Sequence, residues 1–327
     1  WTETMHSFNK EMVRYLREDL GCKQLIIPEN FKTASQSRLL DAERWCYSPA
    51  EVVAKNHYFS SVHMAARWKT RINKGDYYTR RSALHEPRAL PVNMKQHVGH
   101  PHMVTESTWV CPNRYLSEGP FLTSAYMSLS GLDGFVWFAS GAGYDNTLAR
   151  GVRKWMVAQP MIAGMFPANA LLYRKGYLQQ ARAVIHEERT LDDVLSRKLP
   201  LICEESGFDV VRDEGSGEKV SKALRINPLA FLVGRVEVVF DGDPAKTAIM
   251  DLSGQIDDNT VRSLSGEIAL DHKQGIATIN APKAQGVCGF LNNAGTFVLN
   301  DITFDCRNDY ASILAVALDD KPLKESA

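Results

Sequence analysis

A single carboxylate, Glu106, closes a short apolar run in the segment PHMVTESTWVCP at residues 101–112. The run favours a buried β-strand, and a polar side chain at the end of such a strand is a candidate for binding or catalysis. There a carboxylate can attack an electrophilic carbon or give a proton to a leaving group. We therefore interpret Glu106 as the first candidate catalytic residue. The alternative is a structural ion pair of Glu106 with Arg114 or Lys95.

Other predicted strands share this feature, because polar or aromatic side chains lie at their carboxyl ends. In a barrel of βα units these ends converge on one mouth, where the loops carry the active site. The four predicted strands and their candidate residues are KQLIIPEN with Glu29 and Asn30, PAEVVAKNHYF with Asn56, His57 and Tyr58, HMVTES with Glu106, and GFVWFA with Trp137. The arrangement indicates an enzyme whose site is built from several strands.

The elements that position these residues alternate between helix and strand. Residues 2–20 place apolar side chains at helical spacing, and Gly21 ends this predicted helix. A second helix is predicted from Pro120 to Leu132. Apolar strands separated by helices or long connections are typical of βα units with a parallel sheet. We therefore expect an α/β fold in which residues 1–180 form part of a (β/α) barrel.

The sequence pattern changes after Gly151. A helical segment interrupted by Pro160 and Pro167 leads into residues 181–227, which we interpret as a connecting segment. From residue 228 to 327, short alternating strands separated by turns predict an antiparallel β-sandwich. We expect an accessory role for it, either packing against the barrel or holding glycan. Its predicted strands are VEVVF, EIAL, GIATIN, GVCGFL, TFVLNDITF and SILAVAL.

Composition restricts the possible partners. The 327 residues include 38 basic and 38 acidic side chains, so no net charge attracts nucleic acid or a charged membrane surface. No apolar run reaches the roughly 18 residues of a membrane-spanning helix, and we expect no membrane association. The six cysteines lack the CxxC spacing of zinc sites, which favours free, mostly buried thiols. Because the sequence starts at Trp1 within a helical pattern, we expect a processed chain or a piece of a longer one.

The order of three short motifs resembles that of a known family. The motifs are Asn56-His57-Tyr58, Thr105-Glu106-Ser107 and Trp137-Phe138. They are similar to strands six, seven and eight of the clan A glycoside hydrolases, the retaining TIM-barrel glycosidases. The resemblance covers about residues 1–180 and implies the C-terminal part of a TIM barrel. In that family, strand seven ends in the nucleophilic glutamate, strand six orients it, and a strand-eight tryptophan closes the sugar subsite.

The resemblance implies a role for each matching residue. Glu106 takes the place of the nucleophile, and Trp137 that of the subsite tryptophan. His57 and Tyr58 take the places of the strand-six residues beside the substrate, with Asn56 next to them. The implied activity is retaining cleavage of a β-linked oligo- or polysaccharide, without a cofactor. It favours a secreted or periplasmic location, and the oligomeric state stays open.

Retaining hydrolysis needs two carboxyl groups about 5 to 5.5 Å apart, one attacking and one protonating the leaving oxygen. With KQLIIPEN as strand five, the resemblance implies that the acid/base glutamate at the end of strand four lies upstream of Trp1. Within the chain, Glu29 is the other glutamate at a predicted strand end and is the candidate proton donor. The alternative function is a non-catalytic carbohydrate-binding protein on an incomplete or degenerate barrel.

Tryptophans complete the set of candidate binding residues. Sugar rings present apolar C–H faces that stack on aromatic rings, so we expect Trp109 and Trp137 to bind substrate. Trp45 and Trp68 are expected in the core, the commoner place for a large aromatic side chain.

Two further features of the connection at residues 60–101 have functional interpretations. Mixed aromatic and charged side chains, including Asp76, Arg81 and Lys95, are expected to form a wall of the carbohydrate cleft. Histidine spacing here could suit a metal, but no cysteine or carboxylate completes a signature, and we predict no metal site. These histidines are His85, His97, His100 and His102.

Overall fold

The fold is mixed α/β, with several separate β-sheets and helices packed between them. The computed structural model describes residues 1–30, 35–59, 63–64, 72–140, 153–205, 224–292 and 294–326. Within these ranges, no helix has both the length and the apolar character needed to cross a membrane.

The helices of the described ranges are α1 Thr2–Arg14, α2 Gln36–Tyr47, α3 Glu118–Ser130, α4 Pro160–Ala163, α5 Phe166–Lys175 and α6 Leu191–Leu195. Short 3₁₀ helices span Pro87–Ala89, Pro228–Leu232, Pro244–Lys246 and Leu323–Glu325. α1 continues into a π-helical turn, Tyr15–Asp19, and Gly21 then takes a left-handed conformation at φ +63°. This confirms the predicted first helix. α4 and α5 each carry a proline in the first turn, where the missing N–H costs no helical hydrogen bond.

Sixteen strands lie in the described ranges. They are β1 Val53–Asn56, β2 His63–Met64, β3 Tyr77–Tyr78, β4 Gln96–His97, β5 His102–Ser107, β6 Gly134–Trp137, β7 Ala183–Arg189, β8 Arg235–Phe240, β9 Ala248–Ile249, β10 Thr260–Arg262, β11 Ile268–Asp271, β12 Ile276–Ala281, β13 Ala284–Gly289, β14 Thr296–Val298, β15 Thr303–Asp305 and β16 Ala311–Val316. The strands form three larger sheets and two hairpin pairs, β2 with β3 and β14 with β15.

The first larger sheet carries the candidate site. β1, β5 and β6 are parallel and lie in that order, with β5 in the centre. The register pairs Asn56 with Glu106, and Ser107 with Trp137. Since parallel strands end at the same edge of a sheet, the polar ends of these three strands are neighbours. The parallel pairing of these three segments confirms the predicted parallel sheet.

The second larger sheet has the order β4-β8-β7-β9. β8 runs parallel to both β4 and β7, whereas β9 is antiparallel to β7. β8 contains the segment VEVVF, so its assignment to the antiparallel sandwich was wrong. The alternation of buried and half-buried residues in β8 shows one covered face, but it does not specify which strand is the partner.

The third larger sheet is fully antiparallel, in the order β10-β11-β12-β13-β16. The β14–β15 hairpin packs on it through a small apolar core that includes Ile276, Val287, Leu291 and Phe304. Two packed antiparallel layers are compatible with the expected β-sandwich. The division of the chain at residues 180 and 227 stays a prediction.

The described residues form no closed barrel, and the expected part of a (β/α) barrel stays a prediction. One expectation for the amino-terminal part differs from the structure. The segment KQLIIPEN runs beside β1 without forming a regular strand, where the carbonyl oxygens of Ile26 and Asn30 accept single backbone hydrogen bonds from Val52 and Asn56. Pro28 has no N–H to continue such a ladder, and Ile27 is exposed rather than buried.

The largest apolar core joins all three larger sheets. It contains Val53 and Val104 from the first sheet, Val184 from the second, and Leu270 and Ile279 from the third. α3 lies in the middle of this core and is buried along its whole length. Because one continuous cluster serves all three sheets, the position of the first sheet depends on packing against the others.

A buried ionic network lies between α2, β1, β4 and β7. Its seven charged side chains are Asp41, Arg44, Lys55, Lys95, Glu187, Arg189 and Glu204. Lys95 Nζ is 2.8 Å from Asp41 Oδ2 and 3.0 Å from Glu187 Oε2. The expectation that Lys95 lies in a cleft wall was therefore wrong: its ammonium group is fully buried and neutralised by two carboxylates.

The network fixes β1 in place. Burial opposes ionisation of Asp41, but the positive charges of Lys95, Arg44 and Arg189 outweigh it and hold the pKa of Asp41 well below its ordinary value. Burial lowers the pKa of Lys55 to about 8, against the opposing effect of Glu204. Since Lys55 directly precedes the last residue of β1, these contacts anchor the strand end that leads into the candidate site.

Candidate functional site

The carboxylate of Glu106 is half-buried near the carboxyl end of β5, the central strand of the parallel sheet. Tyr58 Oη donates a hydrogen bond to Glu106 Oε2 at 2.7 Å. Behind this contact, the backbone N–H of His57 donates to the carbonyl oxygen of Glu106 at 3.0 Å. Burial and then the hydrogen bond to Glu106 raise the pKa of Tyr58, so the phenol keeps its proton and acts as the donor.

Two aromatic rings flank the Tyr58 side chain. The ring of Phe138 is nearly perpendicular to it at a centroid distance of 6.3 Å. The ring of Trp155 lies 6.2 Å from Tyr58 and 6.0 Å from Phe138. All three side chains are half-buried, so they form a partly exposed aromatic wall next to Glu106. Sequence reasoning named neither Phe138 nor Trp155 as a site residue.

Asn56 completes the polar part of this site. Its Oδ1 atom accepts a hydrogen bond from Thr105 Oγ1 at 3.0 Å, which ties the ends of β1 and β5 together. His57, in contrast, is only 2% exposed and lies in the interior. The structure therefore brings Asn56, Tyr58 and Glu106 to one sheet edge, and it places His57 behind them.

Trp137, the expected subsite tryptophan, faces the other side of the sheet. Its ring packs on Phe135 at 4.9 Å and on Phe166 of α5 at 5.2 Å between centroids. Successive side chains of a strand point to opposite faces, so Phe138 takes the side that faces Tyr58. The alternation in GFVWFA carried this information, but the sequence alone did not show which face is covered by helices.

Trp109, the second expected sugar-binding tryptophan, is a core residue. Its side chain is 0% exposed, and its ring centroid lies 5.5 Å from that of Phe59 in a tilted contact and 6.2 Å from that of Trp137 in a stacked one. An indole without an exposed face has no surface on which a sugar could stack. Trp68 lies outside the described residues.

The buried indole of Trp109 leads to a carboxyl group that sequence reasoning missed. Glu118 Oε1 accepts hydrogen bonds from Trp109 Nε1 at 3.0 Å and from the backbone N–H of Ala83, and its Oε2 accepts from Ser82 Oγ at 2.6 Å and Tyr310 Oη at 3.0 Å. Burial raises the pKa of Glu118 to about 7, although its four donors oppose the rise. A glutamate at a helix start gives no sequence signal of burial, because that position usually faces solvent.

Glu29, the second candidate catalytic carboxylate, is exposed. Among the described residues, no hydrogen bond or ion pair joins Glu29 to Glu106. Glu29 instead contributes, after burial and Glu43, to raising the pKa of Tyr47 at the end of α2. In the described structure, Glu29 and Glu106 therefore interact with different residues.

The residues considered as ion-pair partners of Glu106 have other partners. Arg114 Nη2 is 3.2 Å from Asp309 Oδ2. Lys95 is held in the buried network by Asp41. In the cleft-wall segment, Arg81 pairs with Glu86, and residues 60–62 and 65–71 lie outside the described part of the chain.

Three histidines of the candidate metal group, His97, His100 and His102, are connected by hydrogen bonds within their own loop. His102 Nε2 accepts a hydrogen bond from the backbone N–H of His97, and His102 Nδ1 donates to the carbonyl oxygen of His100, both at 2.8 Å. Burial lowers the pKa of His102 to about 3 and that of His97 to about 4, so both rings are neutral near pH 7. Over the described residues, no cluster of histidine, cysteine and acidic side chains has a metal-binding arrangement.

Comparison of the chain with known proteins finds no matching family model, no matching curated protein and no matching solved structure. The resemblance to clan A glycoside hydrolases therefore rests on its motif residues and on the geometry of the side chains around Glu106. That geometry combines a half-buried carboxylate, a phenol donor bound to it and two flanking aromatic rings. Such a group of side chains is suited to a ligand with both apolar C–H faces and an electrophilic carbon.

Proposed function

We propose that Glu106 is the nucleophile of a retaining glycoside hydrolase that cleaves β-linked oligo- or polysaccharides. The observation that carries the proposal is the 2.7 Å hydrogen bond from Tyr58 Oη to Glu106 Oε2 at the end of the central parallel strand. The phenol donor holds one carboxylate oxygen and so fixes the orientation of the other, which attacks. In this proposal the three-stranded parallel sheet belongs to the C-terminal part of a TIM barrel.

The proposed reaction has two steps at the anomeric carbon. Glu106 Oε1 attacks this carbon while its bond to the leaving oxygen breaks, and a glycosyl ester forms. A water molecule then attacks the same carbon and gives up a proton, the ester bond breaks, and the Glu106 carboxylate is regenerated; this proton balances the one that the leaving oxygen takes up in the first step. Tyr58 holds Oε2 during both steps, and Phe138 and Trp155 offer aromatic faces to the sugar ring.

Activated substrates isolate the attack by Glu106. A 2,4-dinitrophenyl leaving group departs as a stable phenolate and needs no proton donor, so its release depends on the nucleophile alone. With a panel of 2-deoxy-2-fluoro β-glycosides of this type, we expect a burst of dinitrophenolate and a mass increase of one glycosyl unit. Peptide mapping is expected to locate the added mass on Glu106.

Three variants make this test specific. Glu106→Gln is expected to abolish both burst and adduct. Tyr58→Phe removes a hydrogen bond to a charged group, which is worth about 1.5–3 kcal/mol, so we expect adduct formation to slow by about 10- to 100-fold. Tyr15→Phe removes an exposed phenol on the π-helical turn and serves as the matched control. An adduct on another residue, or an unchanged burst in Glu106→Gln, would refute the assignment.

The second candidate function is non-catalytic carbohydrate binding. It is favoured by the position of Glu29, which is exposed and makes no described contact with Glu106. This alternative predicts no burst with any activated glycoside in the panel. It also predicts calorimetric binding of an oligosaccharide that survives Glu106→Gln and is lost in Trp155→Ala.

A further inference from the structure

A separate pocket lies on the helical side of the parallel sheet, away from Glu106. It is an open pocket with a volume of about 390 Å³, lined by side chains of α3, β6 and α5. Its size falls in the range of about 300–1,000 Å³ that is typical of small-molecule sites. Phe135 and Trp137 enter it from β6, whereas the neighbouring Phe138 faces Tyr58 on the opposite side. The pocket is therefore distinct from the candidate glycosidase site.

Aromatic side chains dominate the body of this pocket. The rings of Phe135, Trp137 and Phe166 form consecutive tilted contacts, with centroids 4.9 and 5.2 Å apart. Met127 of α3 adds a polarisable apolar side chain. Such walls favour a flat apolar ring system, which would stack on aromatic faces and lose its hydration shell on entry.

Three polar side chains of the pocket have partners within the protein. Ser124 Oγ donates to Asn169 Oδ1 at 2.7 Å, and Asn169 Nδ2 donates to the carbonyl oxygen of Met165 at 2.7 Å. Tyr173 Oη donates to the carbonyl oxygen of Leu132 at 2.6 Å. These groups need no ligand to satisfy their hydrogen bonds. They therefore add little attraction for a ligand rich in hydroxyl groups, such as a sugar.

Two polar residues of the pocket lack such a partner among the described residues. The buried Oγ1 atom of Thr123 makes no hydrogen bond, and the charged residue at the rim is Arg174. Arg174 lies on the exposed side of the last turn of α5, and in the described part of the chain it takes part in no ion pair. The adjacent Lys175, by contrast, lies 3.5 Å from Asp320. A guanidinium group at the rim of an apolar pocket can bind a carboxylate in a bidentate manner.

We propose that this pocket is a binding site for a small aromatic carboxylate, with its ring system between Trp137, Phe135 and Phe166 and its carboxylate on Arg174. The site is independent of the proposed glycosidase chemistry, because none of these four residues contacts Glu106 or Tyr58 in the described structure. The ligand class follows from one apolar aromatic body and one positive charge at its edge for which the described residues supply no ion-pair partner.

Isothermal titration calorimetry with sodium 2-naphthoate tests the proposal on the whole chain. We expect saturable one-to-one binding. Arg174→Met keeps the length of the side chain but removes its charge, and we expect it to weaken naphthoate at least tenfold. The same variant should leave binding of the neutral analogue 2-naphthalenemethanol within twofold, since that ligand uses only the aromatic walls.

Two further variants separate the pocket from non-specific binding. Ala170→Trp places an indole in the pocket from an exposed position on α5, and we expect it to abolish binding of both ligands. Lys175→Met removes the neighbouring positive charge outside the pocket and should change naphthoate affinity by less than twofold. No binding to the native chain, equal binding by all variants, or an equal loss of both ligands in Arg174→Met would overturn the proposal. Native-like naphthoate binding by Glu106→Gln would show that the two sites are independent.

Discussion

Two glutamates of the first sheet region show how environment separates the roles of identical side chains. Glu106 is half-buried and receives a phenol hydrogen bond at the edge of the sheet. Glu118 is fully buried, and its carboxyl group accepts hydrogen bonds from four donors: Ser82 and Ala83, Trp109 just after β5, and Tyr310 just before β16. Four donors stabilise an ionised carboxylate, but the free-energy cost of burying its charge is larger than this stabilisation. The pKa of Glu118 therefore rises to about 7.

The raised pKa of Glu118 predicts a pH dependence of folding with a definite sign. The carboxyl group has an ordinary pKa of 4.5, so between pH 4.5 and about 7 the folded chain keeps a proton that the unfolded chain has released. The free energy of unfolding therefore falls as pH rises through this window. Relative to Glu118→Gln, which does not titrate, we expect the native chain to lose up to about 3 kcal/mol between pH 4.5 and pH 8.

Urea unfolding of both chains over this pH range measures the difference. Other titrating groups, such as His97 and His102, are present in both chains and cancel when the two curves are subtracted. A difference that stays constant with pH would mean that Glu118 titrates normally. If the free energy of unfolding of the native chain instead rises with pH relative to that of Glu118→Gln, the four donors outweigh burial.

At the scale of the secondary-structure elements, the buried ionic network is the contact that joins α2 to β4 and β7. Asp41 lies at its centre, with Lys95 Nζ at 2.8 Å, Arg189 Nη1 at 2.6 Å and Arg44 Nη1 at 2.7 Å. Replacing Asp41 by Asn keeps the shape of the side chain but leaves these buried positive charges without their shared partner. We expect a loss of about 3–5 kcal/mol in the free energy of unfolding, measured by urea denaturation at pH 7.

An exposed ion pair supplies the control for this substitution. Asp309 lies 3.2 Å from Arg114 with both side chains largely in solvent. Exposed pairs contribute little because water and salt screen them, so Asp309→Asn should leave the urea midpoint unchanged. If the two substitutions lowered the free energy of unfolding equally, burial of the network would not determine its contribution to stability.

The sequence predicted elements where apolar pattern and turn chemistry agree, and it failed where buried charge replaces apolar pattern. α1 and its end at Gly21, the strands β5 and β6, and the meander of the third sheet were predictable for this reason. α2 was missed because its inner face carries Asp41 and Arg44, which look like surface residues in a sequence. VEVVF was recognised as a strand, but its alternation does not encode its partner.

The candidate site was predictable to a similar degree. The motif order brought Tyr58 and Glu106 to neighbouring strand ends, where the structure has them in contact. The prediction assigned substrate binding to Trp137 instead of its neighbour Phe138. Which of the two side chains faces the site depends on which face of β6 the helices cover. Trp155 joins from a segment distant in sequence, and only the packed fold shows its contact with Tyr58.

For the whole molecule, the main question is whether the parallel and antiparallel sheets unfold together. The shared apolar core argues that they do. Direct hydrogen bonds also join the third sheet region to the rest: Leu264 N donates to the carbonyl oxygen of Val233 at 2.8 Å, and Tyr177 Oη donates to that of Ala317 at 2.9 Å. Contacts of this kind make a single cooperative transition the expected behaviour.

The distribution of tryptophan makes this expectation measurable. All six tryptophans lie within residues 1–155, so their fluorescence reports only on the amino-terminal part, whereas circular dichroism reports on every sheet. Leu270 on β11 is fully buried in the shared core, and Leu270→Ala should cost about 2–5 kcal/mol. If the sheets unfold together, both signals shift to the same lower urea midpoint, although the substitution lies far from any tryptophan in sequence. Leu318→Ala, at a position 87% exposed, should shift neither signal. A fluorescence midpoint that stays at the native value while the dichroism midpoint falls would mean that the antiparallel sheet is an independent folding unit.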